Sequence, residues 1–182
     1  TVSRVEASVT YPANFQLVAA MNPCPCGHFP DRSRCRCTEG QITRYLQKVS
    51  GPMLDRIDIC VEASPITYGD IKSSGNNESS REIRARVEQA RKIQRERFAG
   101  ENVRCNGEMS GRHIRKFCGL GHEEEKFMEE IFKKLALSAR MHDRILKVAR
   151  TTADLAEEEK IRLADLCEAV SYVKSRDKFW GN

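Results

Sequence analysis

Four cysteines lie close together in this 182-residue chain, as two Cys-x-Cys pairs: Cys24 with Cys26, and Cys35 with Cys37. Four thiolates suit a tetrahedral structural Zn²⁺ site, although the usual spacing within a pair is Cys-x-x-Cys. His28 is a possible substitute ligand. The loop has few apolar side chains, so without a cross-link it should be poorly ordered. We expect bound Zn²⁺ here, with reduced free thiols and disulfides as the alternatives.

Asn22 directly follows the apolar run Phe15–Met21, which is typical of a buried parallel strand. Ligands in open α/β sheets bind at the carboxyl ends of the strands, and an amide at such an end can orient a water molecule. The alternative is that Asn22 and Pro23 simply open a turn. Asn22 is therefore a candidate catalytic residue.

Arg56 stands just before a second apolar run, Ile57–Val61, which also predicts a buried strand. An exposed guanidinium here can reach the γ-phosphate bound by a neighbouring subunit and stabilise the charge on the departing phosphoryl group. The alternative is an arginine paired at the surface with Asp55 or Asp58.

Three cations follow a predicted helix start at Ser138: Arg140, Arg144 and Lys147. Their spacing of i, i+4 and i+7 puts them on one face of the helix. A row of cations beside a packed apolar seam could close over a nucleotide triphosphate. A solvated basic face is the alternative.

The elements that must position these residues fall into two groups. The predicted strands Phe15–Met21 and Ile57–Val61 flank a helix that opens at Thr38, with a capping-box Gln three residues later, and ends by Val49. Alternation over Val5–Tyr11 suggests a further strand. This order indicates the remnant of an α/β core: two buried strands plus a helix.

Everything after the polar stretch 73–77 has helical periodicity. Ser79 with Glu82 forms a second capping box, and Ser110 is placed to cap a short helix. Further apolar stripes predict three more helices, marked by Phe127, Ile131 and Leu135; by Met141, Ile145, Val148 and Leu155; and by Leu163, Leu166, Val170 and Val173. The fold class is thus an α/β remnant followed by an all-α domain, mainly α overall.

The net charge and the length of the apolar runs indicate which classes of partner the chain could bind. Lys and Arg outnumber Asp and Glu by 31 to 26, a net charge of +5, which suits nucleic acid or nucleotide phosphates but also an ordinary solvated surface. The basic helix that opens at Ser79 has the same two interpretations, a contact with the nucleic-acid backbone or an ordinary solvated surface. No apolar run approaches the roughly 20 residues that span a bilayer, which argues against a membrane partner. Cysteines scattered among helical patterns favour a reducing, cytoplasmic setting, and the missing initiator Met suggests a processed or excised piece.

Three stretches of the chain resemble the magnesium-chelatase-like AAA+ ATPases of the ComM/YifB type: VTYPANFQLVAAMNPCPCG, VSGPMLDRIDICVE and LSARMHDRILKVARTTADLA. The resemblance implies that Asn22 is sensor 1 and that Arg56 is an arginine finger acting in trans. It implies Arg140 as sensor 2, with Arg144 as the runner-up. Residues 2–12 would be the outgoing half of a hairpin that faces DNA in the pore of a ring.

The resemblance also implies domain boundaries. Residues 1–70 would be the C-terminal part of an AAA+ core with a Cys-rich loop at 24–37, residues 71–80 a linker, and residues 81–176 a helical lid. The Walker A and Walker B motifs are absent from the sequence. We therefore expect ATP and Mg²⁺ to bind only in a full-length protein, and this piece to have no ATPase activity alone.

The implied whole protein is a hexameric-type ring of identical subunits acting on DNA, as a helicase or branch-migration factor in natural transformation. Two alternatives stay open. One is an ATPase subunit that helps to insert magnesium into a porphyrin, against which the Cys-rich loop counts. The other is a zinc-stabilised nucleic-acid-binding module without ATP chemistry.

Overall fold

The computed structural model describes residues 1–4, 7–13, 15–72 and 77–180. The chain divides into two compact units, Thr1–Lys48 and Val49–Asn182. Within the described residues the elements follow in the order β1 Val2–Arg4, β2 Ala7–Val9, α1 Glu39–Leu46, α2 Gly51–Leu54, α3 Tyr68–Lys72, α4 Ser80–Arg97, a 3₁₀ turn Asn106–Glu108, α5 Gly111–Phe117, α6 His122–Lys134, α7 Ala139–Leu155 and α8 Leu163–Trp180. The prediction of a mainly α chain with an all-α domain at its end is confirmed.

The first unit opens with a short antiparallel hairpin. Strands β1 and β2 pair with Val2 opposite Val9, and their side chains are exposed. Residues 2–12 therefore contain both arms of a hairpin, whereas the sequence predicted only the outgoing arm. Val5 and Glu6, within the predicted strand, lie outside the described residues.

The predicted strand Phe15–Met21 is wrong for this chain. Its residues adopt no regular structure, and its large side chains are exposed, Phe15 by 75% and Val18 by 85%. A buried parallel strand needs neighbouring strands on its flanks to pair its backbone N–H and C=O groups. The only sheet in the described part of the chain is the β1–β2 hairpin, so the run has no such neighbour.

Helix α1 forms as predicted, because its start is encoded locally. The Thr38 side chain accepts from the backbone N–H of Gln41, and the Gln41 side chain accepts from the backbone N–H of Thr38. Ile42 and Leu46 are buried on one face. Together with Cys24 they are the buried apolar side chains of the described first unit, which is a very small core for about 45 residues.

In the second unit the predicted strand Ile57–Val61 is likewise wrong. The segment has no regular secondary structure and pairs with no strand among the described residues, and Ile59 and Val61 are exposed. Ile57 and Cys60 instead line a small cavity with Met141, and with Tyr172 and Val173. The segment thus lies along helices α7 and α8 rather than in a sheet, and the Lys178 ammonium pairs with Glu62 at its end.

The short helix α3, Tyr68–Lys72, reaches into the region predicted as a linker. The predicted linker is residues 71–80; its central residues, 73–76, lie outside the described residues. Helix α4 begins after Ser79 with the predicted capping box to Glu82.

The helices from α4 to α8 share one apolar core. Ile145 and Leu166 are essentially fully buried where α7 packs on α8, and Phe98 meets Phe117 edge-to-face at 5.4 Å between ring centroids. The full buried set comprises Phe98, Met109, Ile114, Cys118, Met128, Ile131, Leu137, Met141, Ile145, Leu146, Ala149, Ile161, Leu166, Ala169, Val170 and Val173. The apolar stripes predicted for α6, α7 and α8 contribute many of these residues, so the helical domain has a hydrophobic core of its own.

A buried ionic cluster also joins α4, the 3₁₀ turn and α7. Asp154 is fully buried, and each of its carboxylate oxygens accepts two hydrogen bonds. Oδ1 accepts from Arg97 Nη2 and from Arg150 Nε at 3.1 Å, whereas Oδ2 accepts from Arg97 Nη1 at 2.7 Å and from Asn106 Nδ2 at 2.7 Å. No pattern in the sequence had singled out this cluster.

Candidate functional site

The four predicted ligands come together in the first unit. The Sγ atoms of Cys24, Cys26, Cys35 and Cys37 all lie within 4.8 Å of one another. Cys24 Sγ is 3.4 Å from Cys26 Sγ and 3.8 Å from Cys35 Sγ, and the Cys26–Cys35 distance is 3.6 Å. Tetrahedral Zn–S bonds of about 2.3 Å place sulfurs about 3.8 Å apart, so the cluster has the dimensions of a Zn(Cys)₄ site.

The loop reaches this geometry through backbone turns. Gly27 donates its N–H to the Cys24 carbonyl at 3.0 Å, and the Phe29 N–H points at Cys24 Sγ at 3.4 Å. An N–H group directed at a ligating sulfur is the usual outer support of a metal–thiolate site. Among the described residues, the group that could hold a metal ion does not include His28, the alternative ligand.

Electrostatics within the cluster favour a cation. A backbone N–H from His28 lowers the pKa of Cys26 to about 6, whereas desolvation raises the pKa of Cys37 to about 11. Four sulfurs this close cannot all ionise by themselves, because each thiolate disfavours the next. A divalent ion removes this conflict by binding all four thiolates, so the donor set fits Zn²⁺.

Asn22 lies two residues before the first cysteine and is exposed. The cysteine-rich loop folds back against it: a Cβ atom at position 27 would lie 3.7 Å from the Asn22 side-chain amide. Gly27 also has a φ of +79°, which strongly favours glycine. The loop therefore contacts the side chain predicted as sensor 1 and leaves it accessible.

Arg56 is exposed at the end of the short helix α2. Ser50 caps that helix by accepting from the Met53 N–H, and Leu54 is buried beneath it. The guanidinium of Arg56 donates to the Pro52 carbonyl, one turn earlier. Asp58, one of the two partners considered for Arg56 from the sequence, forms its ion pair with Arg144 instead.

The three cations of α7 lie in different environments. Arg140 is exposed and makes no ion pair or hydrogen bond to any residue that the structure describes. Lys147 is half-buried and donates to the Gly107 carbonyl at 3.1 Å. Arg144 is 9% exposed and is fully engaged with a distant part of the same unit.

Three partners of Arg144 belong to the segment that carries Arg56. Its guanidinium donates to the Asp55 carbonyl, to the Ile57 carbonyl at 3.1 Å, and from Nε to Asp58 Oδ1 at 2.8 Å. Sequence spacing missed this role, because the partners lie 87 and 89 positions away from Arg144. The pattern of α7 offered one signal, an arginine next to the apolar stripe.

The mainly helical fold, with α4 to α8 packed around one core, is consistent with the C-terminal helical lid of an AAA+ protein. The family comparisons agree: residues 77–173 match the family described as magnesium chelatase, subunit ChlI C-terminal, and residues 1–71 match magnesium chelatase, subunit ChlI. The chain belongs to this family.

Among its relatives is the competence protein ComM of Haemophilus influenzae, 41% identical over 172 residues. The uncharacterized proteins YifB of Escherichia coli and Salmonella typhimurium are 43% and 42% identical. Each alignment covers 94% of this chain and 33% of the relative. The chain thus spans about a third of the length of the curated relatives it matches. No helix among the described residues is long and apolar enough to cross a membrane.

Proposed function

We propose that this chain supplies the sensor, arginine-finger and lid part of the ATP site in a ring-forming AAA+ ATPase of the ComM/YifB type. Arg56 acts in trans on the ATP of the next subunit, Asn22 orients the attacking water, and Arg140 senses the nucleotide from the lid. The observation that carries the proposal is the exposure of all three side chains, since each must reach a triphosphate held elsewhere.

ATP and Mg²⁺ are held by polypeptide that this chain does not supply, because no phosphate-binding loop occurs in its sequence. The exposed apolar run Phe15–Met21 supports this division of the site. In a protein of the relatives' length, further strands would flank the run and bury it. On this proposal residues 1–70 complete the core, residues 71–80 link it to the lid, and residues 81–176 form the lid.

The test of the proposal is a subunit-mixing experiment with the full-length protein. Arg56→Ala subunits are mixed in varying proportion with subunits whose own phosphate-binding loop is disabled, and ATP hydrolysis is followed. An arginine finger is worth roughly 10³- to 10⁵-fold in turnover, so neither subunit should be active alone. If Arg56 acts in trans, the intact ATP site of an Arg56→Ala subunit regains its finger from a neighbour, and hydrolysis should appear in the mixtures. No hydrolysis at any proportion would refute action in trans.

DNA is the proposed substrate of this motor, as a helicase or branch-migration factor that assembles as a hexameric-type ring in the cytoplasm. The support is the competence protein among the relatives and the basic exposed face of α4. ATP hydrolysis by the full-length protein should rise on addition of branched DNA and not on addition of an uncharged polymer. Unchanged hydrolysis with single-stranded, duplex and branched DNA would refute this part.

The cysteine cluster is proposed to bind one structural Zn²⁺ ion that orders the loop supporting Asn22. The distances between the sulfurs and the very small core of the first unit support it, since small units depend on such cross-links. Metal analysis should give one zinc per chain, and a Cys24→Ser, Cys26→Ser variant should bind none. Cys167→Ser, an exposed cysteine outside the cluster, is the matched control. Four titratable thiols in a metal-free native chain would refute the site.

Two other functions remain to be separated by experiment. A magnesium-chelatase subunit would require a porphyrin-metallating partner and would not respond to DNA. A zinc-stabilised nucleic-acid-binding module would bind DNA in a salt-dependent way, with binding unaffected by Arg56→Ala or Arg140→Ala. The trans effect in the mixing experiment favours the motor over the module.

A further inference from the structure

One buried guanidinium forms hydrogen bonds to the backbone on both sides of Arg56. Arg144 on α7 hydrogen-bonds the carbonyl oxygens of Asp55 and Ile57 and forms an ion pair with Asp58. Two of these contacts are made to main-chain atoms, so they fix the path of the chain rather than one side-chain rotamer. Arg56 lies between the gripped residues, with its own side chain exposed.

Arginine suits this task because its planar fork presents several N–H donors in fixed directions. The Arg144 side chain is only 10% exposed, against 70% for that of Asp58. The anchor is therefore buried in the helical domain, while the segment it holds lies at the surface. Because Nε, Nη1 and Nη2 of this buried side chain all contact residues of the same unit, Arg144 is poorly placed to bind a nucleotide.

We propose that Arg144 is a positioning residue for Arg56: it fixes the Asp55–Asp58 backbone so that the Arg56 guanidinium points into the ATP site of the neighbouring subunit. This inference rests on the trans role of Arg56 in the proposed function. It replaces the sensor-2 role that the sequence left open for Arg144. A sensor-2 residue would serve the nucleotide of its own subunit, whereas this residue serves the neighbour's.

The informative substitutions separate packing from hydrogen bonding. Arg144→Met keeps an unbranched chain of similar length beside Met141 but has no N–H donor. Arg144→Lys keeps a cation for Asp58 but lacks the fork. In the full-length protein Arg144→Met should lower kcat roughly 100-fold, as expected when a reacting group is displaced by about 1 Å. The KM for ATP should stay within about twofold of the wild-type value. The kcat of Arg144→Lys should lie between those of the wild type and Arg144→Met.

Complementation decides whose nucleotide the residue serves. Arg144→Met subunits are mixed with subunits whose own phosphate-binding loop is disabled. Hydrolysis should reappear, because the intact ATP site of the Arg144→Met subunit then meets an intact Arg56 from its neighbour. Arg56→Ala subunits should recover in the same mixture, whereas a mixture of Arg56→Ala with Arg144→Met should stay inactive. Arg140→Ala, which impairs a subunit's own site, should not recover.

The outcomes distinguish this inference from the function it rests on. Recovery of Arg56→Ala without recovery of Arg144→Met overturns the positioning role alone. Failure of Arg56→Ala to recover overturns the trans role and the inference with it. If Arg144→Met does not fold, as judged by the fluorescence of Trp180 at the end of α8, Arg144→Lys is carried through the same mixtures. Full kcat in a folded Arg144→Lys variant, or in both folded variants, also overturns the inference.

Discussion

Asp154→Asn is the substitution whose consequence the structure defines most closely. The carboxylate of Asp154 is fully buried and receives four N–H donors, two on each oxygen. An asparagine of nearly the same shape must place its NH₂ group against two of those donors, whichever way the amide is turned. The substitution also removes the negative charge between Arg97 and Arg150, whose side chains are 13% and 3% exposed.

The expected cost follows from that environment. Removing one partner of a buried ion pair costs about 3–5 kcal/mol, because the remaining charge stays buried without compensation. Arg150 retains hydrogen bonds to the carbonyls of Glu158 and Glu159, and desolvation already lowers its pKa. These bonds do not replace the lost charge. We therefore expect Asp154→Asn to lower the free energy of unfolding by about 3–5 kcal/mol, a large share of the 5–15 kcal/mol typical of a domain.

Urea unfolding of the 182-residue chain measures the effect. The chain contains one tryptophan, Trp180 in α8, so its fluorescence reports on the second unit, with helical circular dichroism as the second signal. With an m-value of about 2 kcal/mol per M, the midpoint should fall by about 2 M. Asp143→Asn is the matched control on the same helix, because Asp143 is half-exposed and its ion pair among the described residues is with His142, at 3.3 Å. It should change stability by less than about 0.5 kcal/mol.

A wild-type midpoint for Asp154→Asn would refute the reasoning, because the buried cluster would then contribute nothing net. Equal losses for Asp154→Asn and Asp143→Asn would refute it differently. In that case the position on α7, and not the burial of the carboxylate, would set the cost.

Two further substitutions test other parts of the helical domain. Lys116 and Arg112 hold the pKa of Glu101 below its ordinary value. Glu101 therefore stabilises the fold above about pH 4.3, and this contribution is lost as the pH falls through the lowered pKa. At pH 7 the urea midpoint of Glu101→Gln should be lower than that of the wild type, whereas near pH 3 the two midpoints should be equal. A difference between the two midpoints that does not change with pH would contradict this. Leu166→Ala, at a fully buried site between α7 and α8, should lower the free energy of unfolding by about 2–5 kcal/mol in equilibrium unfolding. The control is Leu163→Ala, at a half-buried site on the same helix. A loss for Leu166→Ala no larger than that of the control would show that the core collapses around the smaller side chain.

Apart from the short helices α2 and α3, the helices could be predicted from the sequence because their signals are local. The capping boxes at Thr38 and Ser79 need only the next three residues, and both form as predicted. The apolar stripes likewise record which face of each helix is buried. The four-cysteine cluster could be predicted for a related reason, since both pairs lie within 14 residues of chain and a short loop can close on itself.

The strands could not be predicted in the same way, because a strand exists only with its neighbours. Phe15–Met21 and Ile57–Val61 have the composition of buried strands but pair with none among the described residues. The second run lies instead along α7 and α8, with the Arg144 fork on its backbone carbonyl at Ile57. Composition alone records that a segment is apolar and β-branched, and not which surface will cover it.

Arg140 and Arg144 show the same limit within one helix. They lie one turn apart on one face, and the family resemblance offers both for a single role, sensor 2. What separates them is the Asp55–Asp58 segment, which covers one of the two and leaves the other exposed. If the proposed roles hold, α7 carries the group that senses the subunit's own nucleotide about 6 Å along its axis from the group that holds the finger for the neighbour's. Because both arginines lie on one continuous helix, which packs against α8 and α4, a shift of α7 at Arg140 would be carried to Arg144. The nucleotide state of one subunit would then set the position of Arg56 in the site of the next.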